Sequence, residues 1–215
     1  MSTLKEIVDK VKSNLESGFT TDETRLDDLF IESKIHSARG MILSNLVRSG
    51  MRDRINESFV QAINPDLLEY DEECEMVSFE CPPVIHLDDR HDGFAYVGHV
   101  SGMKPFMRIR SNYTALSMHS LYQKEKQIAW DFVVNVTGSY DINIYKNHRL
   151  RKILIRAIFN NPTAVPNYRK DVDQYPLDAV TENEVVEMIS VDLLKKITVV
   201  APDYVSDSQN TLPRR

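Results

Sequence analysis

Apolar residues recur at helical spacing near both ends of the chain and alternate with polar ones between. In residues 3–15, Leu4, Val8, Val11 and Leu15 fall on one face, and Thr3 with Glu6 has the form of a capping box, so the spacing predicts a helix. Gly18 and the polar stretch 20–24 break the pattern. Ile31, Ile35, Ala38, Ile42 and Leu46 then recur every three or four residues, with Asp27 or Asp28 as N-cap. This second helix runs to about Arg48, and Gly50 is a natural stop.

Beyond it the period changes to two. Phe59, Val60, Ala62 and Ile63 end at Asn64 and Pro65, and Val77, Phe79 and Cys81 alternate with Ser78 and Glu80. Phe94, Tyr96, Gly98 and Val100 alternate again, residues 128–136 are rich in β-branched and aromatic side chains, and Ile142 and Ile144 alternate within 141–145. Thr137 and Gly138 separate the last two as a hairpin turn. Residues 153–159, apolar on both sides except at Arg156, read as a buried central strand ending at Asn160, Asn161 and Pro162.

A final helix places Val186, Ile189, Leu193 and Ile197 on one stripe, with Thr181 and Glu184 as a second capping box and Pro202 as its stop. Residues 203–215 are rich in Ser, Asp, Asn and Gln and cannot bury enough apolar surface to order by themselves. The expected fold is α+β: an N-terminal helical pair, a central antiparallel sheet and a C-terminal helix in one domain, 1–202, followed by an extended polar arm, 203–215.

Composition narrows the functional classes. A hydrophobic fraction of 42% supports a packed core. Lys and Arg number 26 against 32 Asp and Glu, and the net charge of -6 argues against a chain whose main work is coating nucleic acid. The amphipathic first residues lack a secretory apolar stretch and no run suits a membrane span, so a soluble protein made in a cytosol, with no membrane partner, is expected. Cys74 and Cys81 are too few for a disulfide framework and read as two unpaired, half-buried thiols.

Candidate chemistry is sparse. Gly98, Gly102 and Lys104 have the wrong spacing for a phosphate loop, and Pro105 follows the lysine where Ser or Thr is needed. Thiolate and imidazole suit zinc, so Cys74, Cys81, His86 and His91 are the best metal candidates. Their gaps of six, four and four residues lack the closely spaced ligand pair of a zinc knuckle. A metal-dependent nucleic-acid-processing factor built on these four residues is the alternative in a different class. The acidic run Glu69, Asp71, Glu72, Glu73 and Glu75 reads as a solvated loop. Lys146, His148, Arg149, Arg151, Lys152 and Arg156 form a basic run able to meet an acidic subunit surface or phosphates; Lys146, Arg149, Arg151, Lys152 and Arg156 are the candidate interface residues. No catalytic residue, cofactor or resident metal is expected.

Several strings carry a family resemblance: the second helix over 35–46, the acidic segment 67–74 ending in Glu73 and Cys74, and Tyr96, Val97, Gly98 followed by Lys104, Pro105 and Phe106. The most specific are this last string and the run from Ile155 through Asn160 and Asn161 to Thr163; Tyr175–Pro176 before the last helix and the polar tail 206–210 also fit. In these the chain resembles neck or ring proteins of crAss-like and related podoviral tailed phages of Bacteroidota. The resemblance implies a non-enzymatic virion protein assembled in the host cytoplasm. It also implies a homo-oligomeric ring, a dodecamer like the portal, that meets the portal and other neck and tail rings and lets genomic DNA pass through its lumen.

Overall fold

A computed structural model describes residues 2–18, 27–65, 76–88, 91–109, 128–136, 138–145 and 152–200. Among the described residues there are three helices: α1 (Leu4–Gly18), α2 (Asp28–Arg48) and α3 (Ala179–Val200). The α1 capping box forms, with Glu6 N–H donating to Thr3 Oγ1 at 3.2 Å and Thr3 N–H donating to Glu6 Oε2 at 2.9 Å. Asp27 caps α2 by accepting from Leu29 N–H, and Gly50, at φ 77°, follows its C-cap Ser49.

Between α2 and α3 the described residues form nine strands: β1 (Gln61–Ile63), β2 (Met76–Cys81), β3 (His86–Asp88), β4 (His91–Asp92), β5 (Phe94–His99), β6 (Met107–Arg108), β7 (Ala129–Val134), β8 (Tyr140–Tyr145) and β9 (Ile153–Ala157). In place of one antiparallel sheet they form three, ordered β1-β9-β5, β2-β8-β7-β6 and β3-β4, and β6 runs parallel to β7. The fold is α+β. Gly138, at φ 82°, turns the β7–β8 hairpin as its sequence predicts. β9 is the central strand of its sheet but ends at Ala157, and Phe159 continues only as an isolated bridge to Val84.

Two main apolar clusters result. One joins the helices through Leu4, Ile7, Ile31, Ile35, Ile42 and Ile189, and the other lies among the sheets around Val97, Trp130, Ile142, Ile144, Ile153 and Ile155. Ile158 belongs to the first and its neighbour Phe159 to the second, so this short stretch fastens the helical layer to the sheets.

Three further expectations need correction. α3 starts at Ala179, because Asp178 Oδ1 accepts from Thr181 N–H at 2.7 Å; Asp178 is the cap and Thr181 lies buried within the first turn. Cys81 is fully buried, its strand alternation turning it into the sheet core. Val100 is 44% exposed at the turn after β5 and does not continue the strand. The side chain of Ile197, Cys74, the acidic run and residues 203–215 lie outside what is described.

Candidate interface

Alternation along β9 divides its side chains between two environments. Ile153, Ile155 and Ala157 enter the core, while Lys152, Leu154 and Arg156 share the opposite face. Arg156 stands opposite Ala62 on β1 and Tyr96 on β5, and its guanidinium pairs with the exposed carboxylate of Glu57. The outer face is thus basic at both ends, with Leu154 between the charges and Tyr96 alongside. Tyr96 donates to the carbonyl of His99 at 3.1 Å and folds over Gly98, where an added Cβ would stand 2.5 Å from both the Tyr96 hydroxyl and the carbonyl of Lys104. Gly98, Gly102 and Lys104 therefore make a tight turn, with Gly102 at φ 73°.

Of the basic run, the fold brings Lys152 and Arg156 onto one face; Lys146, His148, Arg149 and Arg151 lie outside the described residues. The metal candidates fare differently. Cys81 lies in the sheet core, where burial pushes its thiol up to about 12, far from the thiolate a metal ligand requires. His86, on β3, is exposed, and His91 is on β4. Among the described residues no group of three or more His, Cys, Asp or Glu side chains is placed to hold a metal ion.

A cleft of about 520 Å³ opens between α2 and the turn at 160–163, lined in part by Glu32, Ser33, His36, Ser37, Asn160 and Thr163. His36 Nδ1 shares a 2.7 Å hydrogen bond with the Tyr175 hydroxyl. Burial, reinforced by the positive charges of Arg39 and Lys170, lowers the imidazole to about 4. It is neutral at physiological pH and weakly basic, which suits a structural hydrogen bond better than proton transfer.

Sequence reasoning missed the buried Arg39. Its guanidinium donates to the carbonyls of Pro176 (3.0 Å), Phe159 (2.8 Å) and Phe59 (3.2 Å), uniting three segments distant in sequence. The available signal was position, since Arg39 interrupts the inner stripe of Ile35, Ala38 and Ile42. Also missed was Glu182, whose carboxylate accepts from the Ser2 hydroxyl at 2.7 Å and pairs with Lys10, tying the segment before α1 to α3. Burial raises this carboxyl, but the Lys10 and Ser2 hydrogen bonds outweigh it and the net shift is downward.

No protein-family model matches the chain, and no curated protein is significantly similar to it. No helix among the described residues is long and apolar enough to cross a membrane.

Proposed function

We propose that the protein is a structural, non-catalytic subunit of a tailed-phage virion, one protomer of a homo-oligomeric neck ring joining the capsid portal to the tail. The neck assignment follows the resemblance carried by residues 155–163 and their companion segments. Self-assembly has its support in one observation: at the β7–β8 hairpin Val133 and Val134 are 50% and 56% exposed, and Val136 stands fully in solvent. Asn135, which donates through Nδ2 to Asp141 Oδ1 at 2.9 Å, braces this tip. A braced apolar tip is unfavourable in water and favourable against a neighbour. The acidic balance of -6 suits a ring that conveys DNA without gripping it.

Mass photometry and negative-stain microscopy of the purified protein, alone and with portal, test the reading. Closed rings, alone or seated on portal, are the expected result. A chain that stays monomeric in both conditions at micromolar concentration overturns it.

A further inference from the structure

Along α2, on the side turned away from the helical core, Leu29, Ser33, Ser37, Gly40 and Ser44 recur at offsets of four, four, three and four. The first three line the cleft that opens toward the turn at 160–163, and the last two line a second cleft, of about 400 Å³, whose far wall holds Pro83, Ile85 and Tyr140. Asn160 lines both, so the two clefts meet there and make one trough. Leu29 to Ser44 covers about 22 Å of helix axis, the length of about seven residues of extended chain.

The lining selects a class of occupant. Ser33, Ser37 and Asn160 are exposed, and their side chains have no hydrogen-bond partner among the described residues. Asn161 accepts through Oδ1 from the N–H and hydroxyl of Thr163, and its Nδ2 is likewise unpartnered among them. Glu32 already pairs with Lys170, and neither Lys nor Arg lines either cleft, so phosphate lacks the cations it needs. Tyr140, the one Phe, Tyr or Trp in the lining, is buried, which leaves no platform for a stacked base or sugar ring. A long, uncharged trough of hydroxyls and carboxamides suits a linear ligand that both donates and accepts along its length, which is the chemistry of polypeptide main chain and neutral polar side chains.

The same chain supplies such a segment at the right end. Glu184 of α3 pairs with Arg54, beyond the C-terminal end of α2, while Asp192 pairs with Lys34 near the α2 N-terminus, so the two helices run antiparallel. α3 therefore ends beside the start of α2, where Leu29 opens the trough. The fifteen residues after Val200 can extend over about 50 Å, enough to round α2 and still lay seven residues in the trough. Six consecutive ones, Ser206, Asp207, Ser208, Gln209, Asn210 and Thr211, carry hydrogen-bonding side chains.

We infer that the trough along α2 is a binding site for an extended polar stretch of polypeptide, and that its occupant is the 203–211 segment of the same chain. Ser33, Ser37, Asn160 and Asn161 meet its main chain and its Ser, Gln and Asn side chains. A tether to α3 keeps the segment at high local concentration, so individually weak polar contacts suffice to hold it. The inference does not depend on assembly of copies.

Disulfide trapping in the full chain tests it. In a Cys74→Ser background, Ser37→Cys is combined in turn with Ser206→Cys, Ser208→Cys and Asn210→Cys; Cys81 is buried and does not compete. At least one pair should close within a single chain, as read by mass, at least about tenfold faster than the same segment cysteine combined with Glu187→Cys on the exposed side of α3. Adding Asn160→Leu should bring that rate back toward the Glu187 value, because the amide shared by both clefts is lost. If circular dichroism shows that Ser37→Cys fails to fold, Ser33→Cys on the same exposed stripe takes its place. Rates no faster than the Glu187 control for all three positions, cross-links formed only between copies, or a fast rate that Asn160→Leu leaves unchanged would each overturn the inference.

Discussion

Arg39 donates from its guanidinium to the main-chain carbonyl of Phe159 at 2.8 Å, with the arginine fully buried. The bond joins the middle of α2 to the residue that leaves the central strand for the turn at 160–163. Companion bonds to Phe59 and Pro176 leave one side chain satisfying three carbonyls in the seam between the helical and sheet clusters. Carbonyls buried there have no water to turn to, so the arginine acts as a fastener whose loss is felt in three segments at once.

Replacing Arg39 by Met should therefore destabilise the fold by about 3 to 5 kcal/mol, as each orphaned carbonyl costs about 1 kcal/mol or more. Arg39→Lys keeps a charge but lacks the fork geometry that reaches three acceptors, and should fall between wild type and Met. Urea unfolding followed by circular dichroism gives both values; a loss below about 1 kcal/mol for Met would refute the fastener role.

Phe159 is fully buried in the sheet core. Truncation to Ala should cost about 3 to 5 kcal/mol through lost transfer energy and the cavity left behind. The same unfolding measurement decides, and a near-neutral substitution would mean that the 158–159 stretch does not tie the two clusters together.

His36 gives a pH signature whose sign follows from its lowered value. In the folded protein the ring titrates at about 4 against 6.5 ordinarily, so the unfolded chain takes up its proton first as pH falls. The stabilisation is complete above about 6.5 and is lost as pH drops from there through about 4, by on the order of 2 kcal/mol after solvent screening. Glu182, held below its ordinary 4.5, adds a loss only at lower pH. Stability measured from pH 7 to 4.5 should fall in wild type and fall much less in His36→Gln; parallel profiles would show that His36 is not the group responsible.

The corrected start of α3 separates two carboxylates. Asp178→Ala should cost about 1 kcal/mol, because Asp178 caps the first turn. Glu184→Ala should change stability by less than about 0.5 kcal/mol, because Glu184 faces solvent and does not complete a capping box. Thermal melts of the two variants side by side settle the order, and equal losses would return the cap to Thr181.

Local features of the chain were legible before any fold was known. The capping box of Thr3 and Glu6, the Asp27 cap, the Gly138 turn and the alternation in 76–81 and 153–157 all depend on residues a few positions apart, where backbone geometry and burial leave few choices. Thr181 with Glu184 misled because Asp178, three residues earlier, competes for the same N–H and wins. Tertiary structure alone decided the rest. That Ala62, Tyr96 and Arg156 share one face depends on β1 and β5 both pairing with β9, a choice between distant segments that period two does not encode. An arginine inside an apolar stripe becomes intelligible only when the carbonyls of Phe59, Phe159 and Pro176 converge on it. Cys81 and His86 likewise look like candidate co-ligands in sequence, yet strand alternation buries one and leaves the other in solvent, because side-chain direction is set by the sheet each strand joins.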